Sequence, residues 1–186
     1  MLLEDLMDSR NITMPSGVDS LLAELQLVAK RAEEDDLEQQ MELMRQFQRR
    51  NLLKVAAADV LDQLPVMKVS DALTWVAEAL VDHTFRLSWQ EITHRLGQPR
   101  KRSEQTGEPG FVVIGYGKMG GLELGYGSDL DLVFLHNGDP DAPFSRKQAP
   151  VSRREFYIRL GQRMIHLMST RTLSGRLYEI DSRLRP

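Results

Sequence analysis

Through residues 18–96 the apolar positions recur every three or four residues, the repeat of helices that turn one face to a core. Leu37, Met41, Met44 and Phe47 form one such stripe, and Leu73, Val76, Leu80 and Leu87 another. The run Leu64-Pro65-Val66-Met67-Lys68 separates them, and Ser70 or Asp71 is placed to cap the second helix. The acidic run Glu33-Glu34-Asp35-Asp36 divides an earlier helix from the long one and puts negative charge at its N-terminus. Gly97 to Gly110, rich in Gly, Pro and charge, reads as a linker.

Beyond it the pattern changes. Phe111-Val112-Val113-Ile114 is a short β-branched run that ends at Gly115, the mark of a buried strand. A glycine-rich segment leads into Asp129–Leu135, a second strand, and Asn137 to Pro150 reads as an exposed loop. Tyr157, Leu160, Met164 and Leu167 mark an amphipathic helix. Gly175 then turns the chain into Arg176–Asp181, a third strand. A helical first half thus precedes an α/β second half, with no internal repeat.

Asp129 and Asp131 are the most informative residues. On a strand, side chains alternate between faces, so both carboxylates point one way, roughly 6–7 Å apart at their Cα atoms. Leu130 and Leu132 go to the other face, into a core. Like charges held together on a half-buried strand repel and are costly to desolvate unless a cation joins them. Mg²⁺ suits the site: it takes carboxylate oxygens and keeps positions open for water and phosphate oxygens. A polar edge strand, or a pair facing Lys and Arg, is the plainer alternative. On the third strand the same alternation puts Glu179 and Asp181 on one face. Taken alone Asp181 reads as a partner of Arg183 or Arg176, and beside the other two it is the better third carboxylate, as metal ligand or as base.

Gly115-Tyr116-Gly117-Lys118-Met119-Gly120 follows a strand and matches the dinucleotide fingerprint G-x-G-x-x-G. Only seven residues separate Gly121 from Asp129, whereas a crossover with its helix takes about ten to twelve. A phosphate-cradling turn fits better: Gly120 and Gly121 let the backbone approach a polyphosphate, and Lys118 adds a point charge. Ser128 either orients this turn or is an ordinary turn serine. A tight turn with a solvated lysine remains the alternative, and the carboxylate pair just downstream favours the functional reading.

The histidines at 83, 94, 136 and 166 lack metal-ligand spacing and a nucleophile partner, and those at 83, 94 and 166, in helical stretches, read as structural. Arg45, Arg49, Arg50 and Lys54 read as a solvated helix face, with docking of a partner protein as the alternative. A formal net charge of −3 and no basic stripe argue against nucleic acid as partner. The chain has no cysteine, no apolar run long enough for a membrane span, and an acidic start unlike a signal peptide. A cytoplasmic protein with no membrane contact is the expectation.

Gly115-Tyr116-Gly117-Lys118-Met119-Gly120-Gly121, the short spacer, Ser128-Asp129-Leu130-Asp131 and a later strand carboxylate resemble the DNA polymerase β-like nucleotidyltransferase superfamily. The longer run Gly115–Phe134, with Tyr178-Glu179-Ile180-Asp181-Ser182-Arg183-Leu184-Arg185-Pro186, is similar to the bacterial glutamine synthetase adenylyltransferase family of bifunctional adenylylating and adenylyl-removing enzymes. The form G-Y-G-K-x-G-G-x-E-L-G-Y resembles its C-terminal, adenylylating copy. Ala56-Ala57-Ala58-Asp59 and Leu64–Asp71 resemble the region before that copy.

The resemblance implies an α+β fold, with a helical N-terminal segment (1–98) packed on a nucleotidyltransferase core with a small mixed sheet (99–186). That core would be truncated at its C-terminus, since the family's proteins are several times longer. The implied activity is transfer of AMP from ATP to a tyrosine of glutamine synthetase with release of pyrophosphate, which regulates nitrogen assimilation. It implies two Mg²⁺ on Asp129, Asp131 and Asp181, which also do the catalysis, and ATP phosphates held by Gly120, Gly121, Ser128 and Lys118. Glutamine and the PII signal protein would be the regulators. The alternatives are a nucleotidyltransferase with another acceptor, or an inactive fragment acting as a binding or regulatory module.

Overall fold

Asp36 and Pro65 set the starts of the two long helices. The Asp36 carboxylate accepts the Gln39 N–H at 3.0 Å and caps α2 (Leu37–Val60). Pro65, extended at φ −61° and ψ 146°, stands before α3 (Val66–Leu96). Ser70 and Asp71 therefore lie inside α3 rather than at its cap, because Pro65 O already accepts the Lys68 and Val69 N–H groups, at 2.8 and 3.2 Å. Asp71 instead pairs with Lys68 at 2.9 Å. A shorter helix, α1 (Val18–Ala29), precedes them, and α3 ends at Gly97, whose φ of 92° favours glycine. The computed structural model describes residues 16–33, 36–97, 110–137 and 151–184. Most of the expected linker and of the expected 137–150 loop lies outside them.

Three strands, β1 (Phe111–Gly115), β2 (Leu130–His136) and β3 (Ile180–Leu184), form a mixed sheet in the order β1-β2-β3. β1 runs antiparallel to β2, and β3 runs parallel to it. A single helical turn, α4 (Gly117–Gly120), joins the first two, and α5 (Arg153–Ser169) lies between the second and third. The antiparallel pair excludes a dinucleotide-binding βαβ unit, which needs parallel strands around its glycine turn. The protein has an α+β fold.

Alternation along β2 divides the sheet into two faces. Leu130, Leu132 and Phe134 are buried and join α3 and α5 in one core. There Phe111 stacks on Phe134, Phe85 and Tyr157, and Phe156 meets Trp89 edge to face. Each such side chain removed from water contributes roughly 1.5–3 kcal/mol, which fixes the strand register. Leu21 and Leu25 of α1 and Met44, Phe47 and Val55 of α2 extend this core through α3. The other face carries Asp131, with Val112 and Leu135, a registered pair, partly exposed beside it.

Candidate active site

Asp131 and Asp181 stand opposite each other in the register of the parallel strands β2 and β3. Leu130 pairs with Ile180 and Leu132 with Ser182, so the apolar alternation that buries β2 also delivers the two acids together. Neighbouring strands lie about 4.8 Å apart, so both carboxylates rise from one face within reach of one ligand. Asp129 lies just ahead of β2, not within it as its apolar neighbours suggested. The ladder to β3 begins at Leu130, whose N–H donates to Glu179 O at 2.9 Å. β3 likewise starts at Ile180, later than the sequence pattern places it, and exposed Glu179 instead pairs with Arg176 at 3.1 Å.

The glycine turn abuts Asp131. Tyr116 N–H donates to Asp131 O at 2.8 Å, carrying the β1–β2 ladder one step into the turn. Gly117 has φ +55°, and a Cβ built on it would overlap the Asp131 carboxylate oxygen Oδ2. Gly120 is held by a different neighbour, because a Cβ there would meet Gly115 O at 2.7 Å. The N–H groups of Gly120 and Gly121 donate to Tyr116 O and Gly117 O at 3.1 and 3.0 Å. Both are therefore spent inside the turn, and what these glycines offer a ligand is closeness of backbone rather than donors. Lys118 is exposed beside them. The Ser128 hydroxyl accepts the Gly125 N–H at 3.0 Å, and Ser128 N–H returns a bond to Gly125 O at 3.2 Å. Ser128 thus shapes the bend that leads into Asp129.

Among the described residues no Lys or Arg forms an ion pair with Asp129, Asp131 or Asp181. Nor, among those residues, is any set of three acidic or histidine side chains closed around a single point. For Mg²⁺ the donor chemistry still fits, since that ion is commonly held by one or two carboxylates together with substrate phosphates and waters. The facing Asp131 and Asp181 would supply two hard oxygen donors to such an ion.

A cleft of about 390 Å³ opens on the opposite face of the sheet, between α3 and β1; Glu78, Asp82, Phe85, Val113 and Leu132 line it, and Gly120 of the glycine turn reaches its edge. None of the three aspartates reaches it. Burial pushes the Glu78 carboxyl up, while Asp82 pairs with Arg86 at 2.6 Å.

Arg45 does not belong to a solvated helix face: it is completely buried. Its guanidinium donates to Met41 O (2.7 Å), Gly175 O (2.8 Å), Leu167 O (3.3 Å) and Thr170 O. Carbonyl dipoles from the segment before β3 replace the water that its charge loses. The sequence did carry a signal: Arg45 shares a helical stripe with Met41, Met44 and Gln48, all buried. Gly117 is a second residue missed as a site residue. Its signal was a glycine two places past the end of a strand.

Among the described residues no helix is long and apolar enough to cross a membrane. The whole chain, residues 1–186, matches the family model described as glutamate-ammonia ligase adenylyltransferase. It is 50% identical over its full length to a bifunctional glutamine synthetase adenylyltransferase/adenylyl-removing enzyme of Pseudomonas putida, and 52% identical to the protein so named in Nitrosococcus oceani. The match covers 100% of this chain and 19% of each relative, so the chain spans about a fifth of their length.

Proposed function

Since the chain belongs to the glutamate-ammonia ligase adenylyltransferase family, we propose that it carries the nucleotide-transfer centre that moves AMP from ATP to a tyrosine of glutamine synthetase. The observation that carries this reading is the registered pair of Asp131 and Asp181 beside the Gly117 turn.

In this reading Asp131 and Asp181, with Asp129 at the lead-in to the strand, hold Mg²⁺, two ions when nucleotide is bound. The ions supply neutralisation of phosphate charge and alignment of the reacting oxygens. Gly120 and Gly121 admit the triphosphate close to the backbone, Ser128 shapes the bend beneath it, and Lys118 adds a positive charge. The tyrosine oxygen forms a bond to the α-phosphorus as the bond to the β-phosphate oxygen breaks, and pyrophosphate leaves. Asp181, exposed at the start of β3, takes the hydroxyl proton. Positioning and electrostatics supply most of the rate, because such transition states need little covalent help. Glutamine and PII belong to this reading as regulators, and the cytoplasm as the compartment.

The test is transfer from α-labelled ATP to glutamine synthetase by the chain and by its Asp131→Asn and Asp181→Asn variants. Label on the synthetase from the unsubstituted chain alone supports the proposal. Label that survives both substitutions overturns the residue assignment, and preferential label on an added polynucleotide overturns the acceptor.

A further inference from the structure

Helix α2 grips both acid-bearing segments at points away from the acids themselves. Near its C-terminal end, Asp59 Oδ2 accepts a 2.9 Å hydrogen bond from the hydroxyl of Tyr126, three residues ahead of Asp129. Burial, then this bond, push the Tyr126 phenol up to about 12, so it stays a donor at neutral pH. In the middle of the same helix Arg45 binds three carbonyls of the segment between Leu167 and Gly175. Gln48 Nε2 donates to Leu177 O at 2.6 Å, and the Glu42 carboxylate accepts the hydroxyls of Thr172, at 3.0 Å, and Ser174. Glu42, Arg45 and Gln48 share one helical face, and together they fasten the connection that delivers Asp181. Arg45 and Asp59 lie about 21 Å apart along the helix, at about 1.5 Å of rise per residue.

We propose that α2 is the positioning element of this site, with Asp59–Tyr126 and Arg45 as its two grips. One sets the bend that carries Asp129, the other the entry to β3 and Asp181. The inference rests on the reading of the three aspartates as the groups that hold the metal–nucleotide complex. Among the described residues none of the gripping side chains bonds to the three aspartates themselves. They act by holding the donors in place before it arrives, as outer partners of metal ligands do. Tyr126 is partly exposed, so loss of its hydroxyl leaves no buried group without a partner.

The experiment measures Mn²⁺ binding in the presence of a non-cleavable ATP analogue, by water-proton relaxation, together with the thermal midpoint. For Tyr126→Phe the ion is expected to bind roughly tenfold more weakly, the low end for such outer partners, with the midpoint unmoved. Asp59→Ala should match it and the double variant should add nothing, whereas Asp59→Asn, which keeps an acceptor oxygen, should bind as the parent does. Arg45→Lys keeps the charge, loses the planar fork, and is expected to weaken the ion similarly. Should that variant not fold, Tyr126→Phe decides alone. Parent affinity in Tyr126→Phe, with the ion lost in Asp131→Asn, overturns this inference and leaves the site reading standing. No ion binding by the parent, or full binding by Asp131→Asn, overturns both.

Discussion

Gly117 and the Asp131 carboxylate meet with no room for a Cβ between them. The glycine therefore serves two needs at one position, a left-handed backbone at φ +55° and clearance for an acid.

Gly117→Ala tests the clearance. The left-handed backbone alone should cost about 1–2 kcal/mol in a denaturant titration. The methyl group must also push Asp131 aside, and a displacement near 1 Å can cost roughly a hundredfold in rate. AMP transfer is expected to fall by about that factor, well beyond the loss in folded fraction. Unaltered transfer would separate Asp131 from the chemistry.

Asp181 and Glu179 are two residues apart and make contrasting expectations. Asp181 pairs with Asp131 in the sheet register, whereas Glu179 is exposed and engaged with Arg176. Asp181→Asn should lower transfer by roughly 10²–10⁴-fold, as loss of a positioned acid–base group does. Glu179→Gln removes an exposed ion pair of roughly 0–1 kcal/mol and should leave the rate nearly unchanged. The reverse ranking in a label-transfer assay would move the third carboxylate to Glu179.

Arg45→Met removes a buried charge together with the donor shared by four carbonyls. Three of those carbonyls lie 122–130 residues away in sequence, so the loss loosens a long-range tie rather than a helix. Urea unfolding is expected to show a loss of about 3 kcal/mol, the scale of a charged hydrogen-bonding group whose partners stay buried. A change under about 0.5 kcal/mol would mean that the methionine and water satisfy the cage equally well.

His83 sets a pH dependence of stability. Burial is the main reason its imidazole lies below the ordinary 6.5, with Asp82 pulling the value up and Arg86 down, and its Nε2 has no partner among the described residues. The fold therefore prefers the neutral ring. Its stability contribution is complete above 6.5 and declines as pH falls from there through the lower folded value, because the unfolded chain takes up the proton first. The thermal midpoint should drop more steeply as pH falls below 6.5 in the parent than in His83→Gln, which does not titrate. Parallel curves would contradict this.

What could be read from the sequence is what local periodicity controls. The stripes of α2, α3 and α5 and the runs of β1 and β2 declare themselves because each buries one face of its own segment. Alternation on the third strand put Asp181 on one face with Glu179, but its register opposite Asp131 came only with the parallel pairing of β2 and β3. The boundaries of β3 could not be read either, because they are set by Leu130 bonding to Glu179, a partner far along the chain. The exclusion of Asp129 from β2 has the same origin. Arg45 looked solvated because charge dominates its local sequence, while three of its four acceptors come from residues 167–175. The spent N–H groups of Gly120 and Gly121 were equally hidden, since a glycine pair does not reveal whether its turn closes on itself.

The central claim is that Asp131 and Asp181 jointly hold the metal–nucleotide complex. Anomalous diffraction from crystals grown with Mn²⁺ and a non-cleavable ATP analogue measures it directly. Density for an ion bonded to both carboxylates at about 2.1 Å, with the phosphates over the Gly117–Gly120 turn, is the expected result. An ion bound away from both aspartates, or a nucleotide seated in the Glu78–Asp82 cleft on the opposite face of the sheet, would contradict it.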